Sequence, residues 1–326
     1  MGHSLYPLKF IPQYKDKVWG GQRLKKLFGK DFSPLPNCGE SWEVSSVPGS
    51  VSVVANGFLA GNELTELSEI YMSDLVGEHV YDRFGNAFPL LIKLLDTNED
   101  LSIQVHPGDD VAQLRHHSPG KTEMWYVVHA EAGARIIAGF NKDVSKEEYL
   151  HHLRNNSLTD ILNVYSARSG DVFYIPAGQV HAIGAGVTLC EIQQSSDVTY
   201  RIYDWDRPGN DGKPRKLHVE EALDVIDYKA KDNFVRYKVN PGNAVTLVQS
   251  EYFTTRLLQF SKTVELDYYF VDSFVVYVCV KGACSVETPT GDEQLSAGET
   301  LLLPAITNSV ILRAESGCEL LETYLT

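Results

Sequence analysis

The 326-residue sequence has no Lys/Arg-rich run, no Cys-x-x-Cys pair and no apolar stretch of membrane-spanning length. Each absence removes a class of function. Lys and Arg number 29 against 43 Asp and Glu, a formal charge of −14, and a surface that negative repels a phosphate backbone. Nucleic acid is therefore not expected as a partner, although a small anion can still bind where a few cations converge. The five cysteines, Cys38, Cys190, Cys279, Cys284 and Cys318, are odd in number, which argues against a disulfide framework and a thiolate zinc site. No apolar run approaches the roughly 18 residues needed to cross a membrane. Residues 1–10 lack the long apolar core and small-residue cleavage site of a signal peptide. These features lead to the expectation of a cytoplasmic protein. The composition, 43% hydrophobic and 22% charged, is that of a globular chain long enough for two domains.

What the sequence does have is short runs rich in Val, Ile, Tyr and Phe, punctuated by Gly, Pro and Asn/Asp. Runs at 50–54, 89–95, 101–106, 124–128, 134–137, 171–175 and 187–193 predict strands of a sandwich or barrel. Helices are predicted over 63–75, where Leu64, Leu67, Ile70 and Met72 fall near helical spacing, over 145–164, opened by a Ser145-x-x-Glu148 capping box, and around 219–226. The 206–214 segment reads as a surface turn. A charged and turn-rich stretch at 230–242 predicts a boundary, giving domains 1–235 and 236–326. Beyond it, strands are predicted at 274–280, 283–287, 300–303 and 310–312. The halves echo one another. Gly170 and Pro176 flank an apolar run, and so do Gly298 and Pro304 at the same spacing. His181 lies five residues after Pro176, but Ser309 lies five after Pro304, so only the first half keeps a ligand-type residue there.

Three separated segments carry metal-ligand types. In Leu101-Ser-Ile-Gln104-Val-His106-Pro107-Gly108, a strand puts Gln104 and His106 on one face and Ile103 and Val105 on the other. The Pro-Gly pair ends that strand and places the polar residues near a barrel mouth. Glu123 begins a second run, with Lys121 two residues earlier on its face, and His181 follows a third strand and turn. Taken singly, a strand histidine is more often a satisfied core or surface residue, and a lone Glu is usually just solvated. Together, two imidazoles, a carboxylate and an amide oxygen suit Zn2+, and also Mn, Fe or Co. His116-His117, in a loop, and His151-His152, whose helical neighbours point about 100° apart, read as surface residues.

The stretch from Gly170 through Pro176 and Gly178 to His181 resembles the second cupin motif, with Ala185 at its final Asn position. More specifically, Gln104-Val-His106-Pro107, Gly120-Lys121-Thr122-Glu123, Ile175 through His181 and Glu191-Ile-Gln193 resemble the type I mannose-6-phosphate isomerases. So do Asp197-Val-Thr-Tyr-Arg201, Val18-Trp19-Gly20-Gly21 and Gly39-Glu40-Ser41-Trp42-Glu43. The resemblance runs over about residues 18–205, and the chain looks like the short bacterial form that lacks the large helical insertion of longer relatives. It implies a mainly β fold of two cupin jelly-roll barrels with a few helices, and Ser309 at the position matching His181 leads to the expectation that the second barrel holds no metal. It further implies zinc held by Gln104, His106, Glu123 and His181, an active-site Lys121, and a pair at Asp197 and Arg201. The implied reaction interconverts mannose 6-phosphate and fructose 6-phosphate. Glu191 is a further acid/base candidate, and Arg201 and Lys121 are the cations to receive a phosphate of charge about −1.5 to −2. Many long-form members have His-Lys-Pro-Glu where this chain has Gly120-Lys121-Thr122-Glu123, so a histidine role in ring opening does not carry over to Gly120. Two other classes compete: a cupin iron oxygenase and a non-catalytic sugar-binding cupin. Gln104 beside a cationic pocket argues against the first, and the intact ligand set against the second.

Overall fold

The computed structural model describes residues 4–209 and 212–325. Its chain is mainly β, with every strand pair antiparallel. Seven strands form one sheet in the spatial order Gln13–Lys15, Glu40–Val44, Leu90–Thr97, Val187–Gln194, Glu123–Ala130, Val172–Ile175, Phe234–Val235. Five more, Tyr200–Tyr203, Ile103–Val105, His181–Ile183, Arg135–Phe140 and Leu162–Ser166, form a second sheet. The remaining eight, from Val245–Gln249 to Cys318–Tyr324, form a third around the long strand Val275–Thr288.

Leu90–Thr97 and Val187–Gln194 are buried along their whole length, because both faces of the seven-stranded sheet are covered. The two-residue alternation of a strand then sorts their side chains. One face carries Leu90, Ile92, Leu94, Met124, Tyr126, Cys190 and Ile192 into a large apolar cluster shared with Val276, Leu302 and Leu321 of the third sheet. The opposite face points into the space between the first two sheets. Towards one end of that space Leu95, Trp125, Val127 and Leu189 pack against Ile136, Ala138 and Ile183 of the second sheet. Each fully buried side chain of this size contributes on the order of 1.5–3 kcal/mol. Towards the other end the same strands place Lys93, Glu123 and Glu191, so one interior is apolar at its floor and polar at its mouth. Across the 230–242 stretch the two parts of the chain share one apolar cluster. Leu8 also exchanges backbone hydrogen bonds with Leu302 at 2.8 and 2.9 Å.

Several elements differ from the sequence expectation. The helix expected over 145–164 is Lys146–Arg154, capped by the Ser145 hydroxyl accepting from the Glu148 amide, and it stops at Asn155. Asn156 is left-handed (φ 54°), and the β-favouring residues from Leu162 to Ser166 pair instead with Arg135–Phe140. Leu64–Val76 is helical, but Met72 breaks it (φ 46°, ψ −125°). Its buried residues are therefore Leu64, Leu67, Ser68, Leu75 and Val76, while Ile70 and Met72 face outward. At 50–54 there is no continuous strand, only single bridges from Val53 to Glu63 and from Val54 to Phe10. An unforeseen helix, Asp109–His116, follows the Pro107-Gly108 turn with acidic Asp109 and Asp110 in its first turn. His116 thus ends a helix and does not sit in a loop, while His117 and His151 are exposed. Within the 206–214 turn, Asn210 and Asp211 lie outside the described residues.

Candidate metal centre and substrate cavity

Gln104, His106, Glu123 and His181 meet because four strand ends converge at the polar mouth. Gln104 is cross-strand neighbour to His181 on one side and to Arg201 on the other. Gly178, left-handed at φ 88°, turns the chain after Pro176, and its amide donates to the His106 carbonyl at 2.9 Å. That bond draws the segment entering His181 against the one carrying His106. Glu123 Oε2 lies 3.5 Å from His106 Nε2, and Glu123 Oε1 lies 3.4 Å from His181 Nε2. The ligand atoms of these three residues all fall within 4.8 Å of one another. Among the described residues no other set of three or more His, Cys, Asp or Glu side chains does so. The Gln104 amide nitrogen is 3.2 Å from His181 Nε2, and its oxygen accepts from Ser102.

The surroundings fix which imidazole nitrogen is available. His106 Nδ1 faces the Val198 carbonyl at 3.0 Å, and His181 Nδ1 faces the Gln179 carbonyl at 2.9 Å. A carbonyl only accepts, so Nδ1 carries the proton in both rings and each Nε2 lone pair points at Glu123. Burial, with Lys121 adding repulsion, holds His106 well below the usual histidine range. Burial likewise brings His181 down to about 4, so both rings are neutral. Burial also pushes the Glu123 carboxyl up, to about 8, against the opposing pull of Lys121. His106 Nε2 and both Glu123 oxygens are buried with no hydrogen-bond donor. Two neutral lone pairs converge with a buried carboxylate that has the Lys121 ammonium at 3.3 Å but no well-formed hydrogen bond, an arrangement suited to a further cation. The donor set therefore fits a divalent metal.

Beside these residues opens a cavity of about 280 Å³, lined by Lys17, Lys93, Lys121, Arg201 and Arg215 against Glu40, Glu191 and Asp197. Five cations against three carboxylates make it locally positive on an acidic protein. Lys121 Nζ is 3.3 Å from Glu123 Oε2. Lys93 Nζ is 3.1 Å from Glu191 Oε1, while Trp125 Nε1 donates to Glu191 Oε2 at 3.0 Å. Lys93 outweighs the burial that would raise the Glu191 carboxyl and holds it below its ordinary value. Glu40 accepts from Trp42 Nε1 at 2.7 Å. Burial alone would raise it, but Lys93 and Lys17 prevail and hold it at about 2.

Gln104, Lys121 and Glu191 thus line one space, and the His106–Glu123–His181 set lies beside it, reached through Lys121. Arg201 lines it too. Its side chain donates to the Lys216 carbonyl at 2.9 Å, and its Nε is buried without a partner. Asp197 also lines the cavity, but it is exposed and makes no ion pair with Arg201 among the described residues. At Gly120 a Cβ would fall 2.7 Å from the Asp109 nitrogen and 2.8 Å from the Gly108 carbonyl carbon, both backbone atoms, so no side chain fits where long forms carry histidine. Sequence reasoning missed Lys93, Lys17 and Arg215. The one available signal for Lys93 is its place as the sole charge in Pro-Leu-Leu-Ile-Lys-Leu-Leu, a run otherwise wholly apolar.

This mainly β architecture, with a buried His–Glu–His set at a cation-lined mouth, defines a cupin-type protein with a candidate metal centre. Residues 7–121 match the family described as phosphomannose isomerase type I, catalytic domain. The chain is 39% identical over 306 residues to the mannose-6-phosphate isomerase of Streptococcus mutans, spanning 91% of this chain and 92% of that one. It is 35% identical to a probable mannose-6-phosphate isomerase of Bacillus subtilis, over 92% and 94%. The chain belongs to the type I phosphomannose isomerase family. Its fold superposes on the crystal structure of the mannose 6-phosphate isomerase from Bacillus subtilis with a TM-score of 0.88 at 32% identity, covering 98% and 99% of the two chains. A phosphomannose isomerase from Salmonella typhimurium, 17% identical, shares the fold at a TM-score of 0.78 over 98% and 99%.

Proposed function

We propose that this protein is a metal-dependent isomerase interconverting mannose 6-phosphate and fructose 6-phosphate, with its chemistry in residues 1–235 and no metal in 236–326. One observation carries the reading: a buried carboxylate that faces two imidazole lone pairs, flanked by Lys121 Nζ at 3.3 Å, beside a cavity whose charged lining is five cations against three carboxylates. His106, Glu123 and His181 would hold the ion, with Gln104 as fourth ligand through its oxygen, and the N/O set suits Zn2+. A bound dication would supply charge stabilisation for the sugar oxygens as carbonyl and hydroxyl character exchange between O1 and O2.

The remaining work falls to the protein's own side chains. Isomerisation moves one proton between C2 and C1, which requires a base and a cationic surrounding for the developing enediolate. Glu191, kept ionised by Lys93, is the carboxylate placed to hold that proton. Lys121 Nζ is a charge and proton donor beside it, and Arg201 receives the phosphate as a fork. The relatives named mannose-6-phosphate isomerase support the substrate. The test is a coupled assay for fructose 6-phosphate formation from mannose 6-phosphate, run alongside metal analysis of the purified protein. A metal-loaded protein with no turnover would overturn the reading.

A further inference from the structure

Arg215, from the segment 212–216, adds positive charge to the cavity wall, and one buried carboxylate organises it. Asp204, 5% exposed, accepts from Arg215 Nε at 2.6 Å and from a terminal nitrogen of the same guanidinium at 2.5 Å. It also accepts from Arg207 at 2.9 Å, and Arg207 lies 3.6 Å from Glu99 as well. Asp204 thus grips one edge of the Arg215 fork, whose side chain also lines the cavity, and no hydrogen bond from its other terminal nitrogen is found among the described residues. Arg201, cross-strand neighbour of Gln104, has no carboxylate partner among the described ion pairs, and its bond to the Lys216 carbonyl ties it to the same loop. Arg201 and Arg215 line both the cavity and an open groove running outward from it beside Lys17 and Lys216.

A guanidinium held on one edge by a buried carboxylate is pre-oriented, so less rotamer entropy is lost when its free edge meets an oxyanion. We propose that Arg215 is a specificity-determining residue and Asp204 the residue that positions it, forming with Arg201 a two-guanidinium clamp that selects phosphorylated over neutral sugars at the cavity mouth. The inference deepens the isomerase reading above and rests on it for the identity of the sugar. A loop staple with no ligand role would need Asp204 paired with the loop arginines but would not need Arg215 in the cavity wall.

The test compares the metal-loaded wild type with Arg215→Gln, Asp204→Asn and Asp204→Glu. Losing a charge-assisted contact to phosphate should raise the KM for mannose 6-phosphate roughly 10- to 100-fold in Arg215→Gln, with kcat falling by less than KM rises. The dissociation constant for inorganic phosphate, titrated calorimetrically, should rise by a similar factor. Inhibition by mannitol, which lacks phosphate, should move less than about threefold, since it engages neither guanidinium. Asp204→Asn should shift KM in the same direction by a smaller factor, and Asp204→Glu should restore most of it. Arg215→Gln leaves Asp204 still paired with Arg207, so it keeps the loop anchored if Asp204→Asn misfolds. Unchanged KM and phosphate affinity in Arg215→Gln would overturn the clamp, as would equal losses for phosphate and mannitol. An Arg215 effect with none from Asp204→Asn in folded protein would overturn the positioning role. A wild type that binds phosphate through Arg215 yet does not convert mannose 6-phosphate would sink the isomerase reading and leave the clamp standing.

Discussion

The interior of the first half and the matching rungs of the second half use one arrangement for opposite ends. In the first, Lys93, Glu191 and Trp125 lie side by side on three adjacent strands, with Glu191 between its cation and an aromatic N–H. In the second, Arg256, Glu322 and Tyr277 lie side by side in the same order. There Arg256 Nε and the Tyr268 hydroxyl donate to Glu322, and the Tyr268 and Tyr277 hydroxyls are 2.5 Å apart. Two residues before the aromatic, however, Glu123 pairs with Ile175 in the first half, while Val275 pairs with Leu303 in the second. Gln104 sits opposite His181, while Asp267 sits opposite Ser309. A cation–carboxylate–aromatic rung therefore does not by itself make a site. What distinguishes the halves is the Glu123 carboxylate facing two imidazole lone pairs in one and apolar Val275 and Leu303 at the corresponding positions in the other.

The largest effect should come from making the first half like the second at that position. Glu123→Val should strip the metal and lower kcat/KM by at least about 10³-fold, as expected when a charge-stabilising centre is lost. The same change breaks the buried Lys121–Glu123 pair, so the metal-free variant should also lose about 3–5 kcal/mol and melt lower than metal-free wild type. Metal stoichiometry and paired thermal scans check both parts. Retained metal would refute the ligand assignment. Next comes the second half's interior: Glu322→Ala strands Arg256 and takes the acceptor from the Tyr268 hydroxyl, and should cost about 3–5 kcal/mol of stability. Metal content should remain at the wild-type level, measured on protein refolded below its melting temperature. Loss of metal from that variant would show that the two interiors are not energetically separate.

The sequence carries the candidate ligand positions because they are local. Gln104 and His106 are two apart, Lys121 and Glu123 are two apart, and His181 follows a Pro-Gly turn. The rungs are not local. Lys93 meets Glu191 from 98 positions away, and Arg256 meets Glu322 from 66 away, so neither alternation nor spacing marks them. The loop that brings Arg215 to the cavity reads only as a turn, because the bond to Asp204 that aims it depends on which side of the loop closes on the sheet. The helix over 145–164 was too long for a similar reason. Local propensity allows Leu162–Ser166 to be helical, but its neighbour Arg135–Phe140 offers a ladder.

Within the first half, Lys121 distinguishes chemistry from metal holding. Lys121→Met should cut turnover by about 10²-fold, the usual contribution of a positioned proton donor, while metal content stays intact. Turnover that survives would remove Lys121 from the chemistry.

The smallest of these effects is a pH dependence that the first half's open, cation-rich mouth should show. Glu40 has a folded-state value of about 2 against an ordinary 4.5, set by Lys93 and Lys17 in spite of burial. A depressed carboxyl value means that the unfolded chain binds the proton more readily, so stability rises with pH and is lost as the pH falls through the interval where the two states differ in protonation. The Glu40 contribution is complete above about pH 4.5 and disappears as the pH falls towards 2. Its side chain is 14% exposed, so solvent screening reduces the contribution to about 1–2 kcal/mol. Denaturant titrations of wild type and Glu40→Gln between pH 5 and pH 2 should converge by that amount. Parallel curves would mean that Lys93 and Lys17 do not hold Glu40 ionised, and that the mouth's excess charge resides elsewhere in its wall.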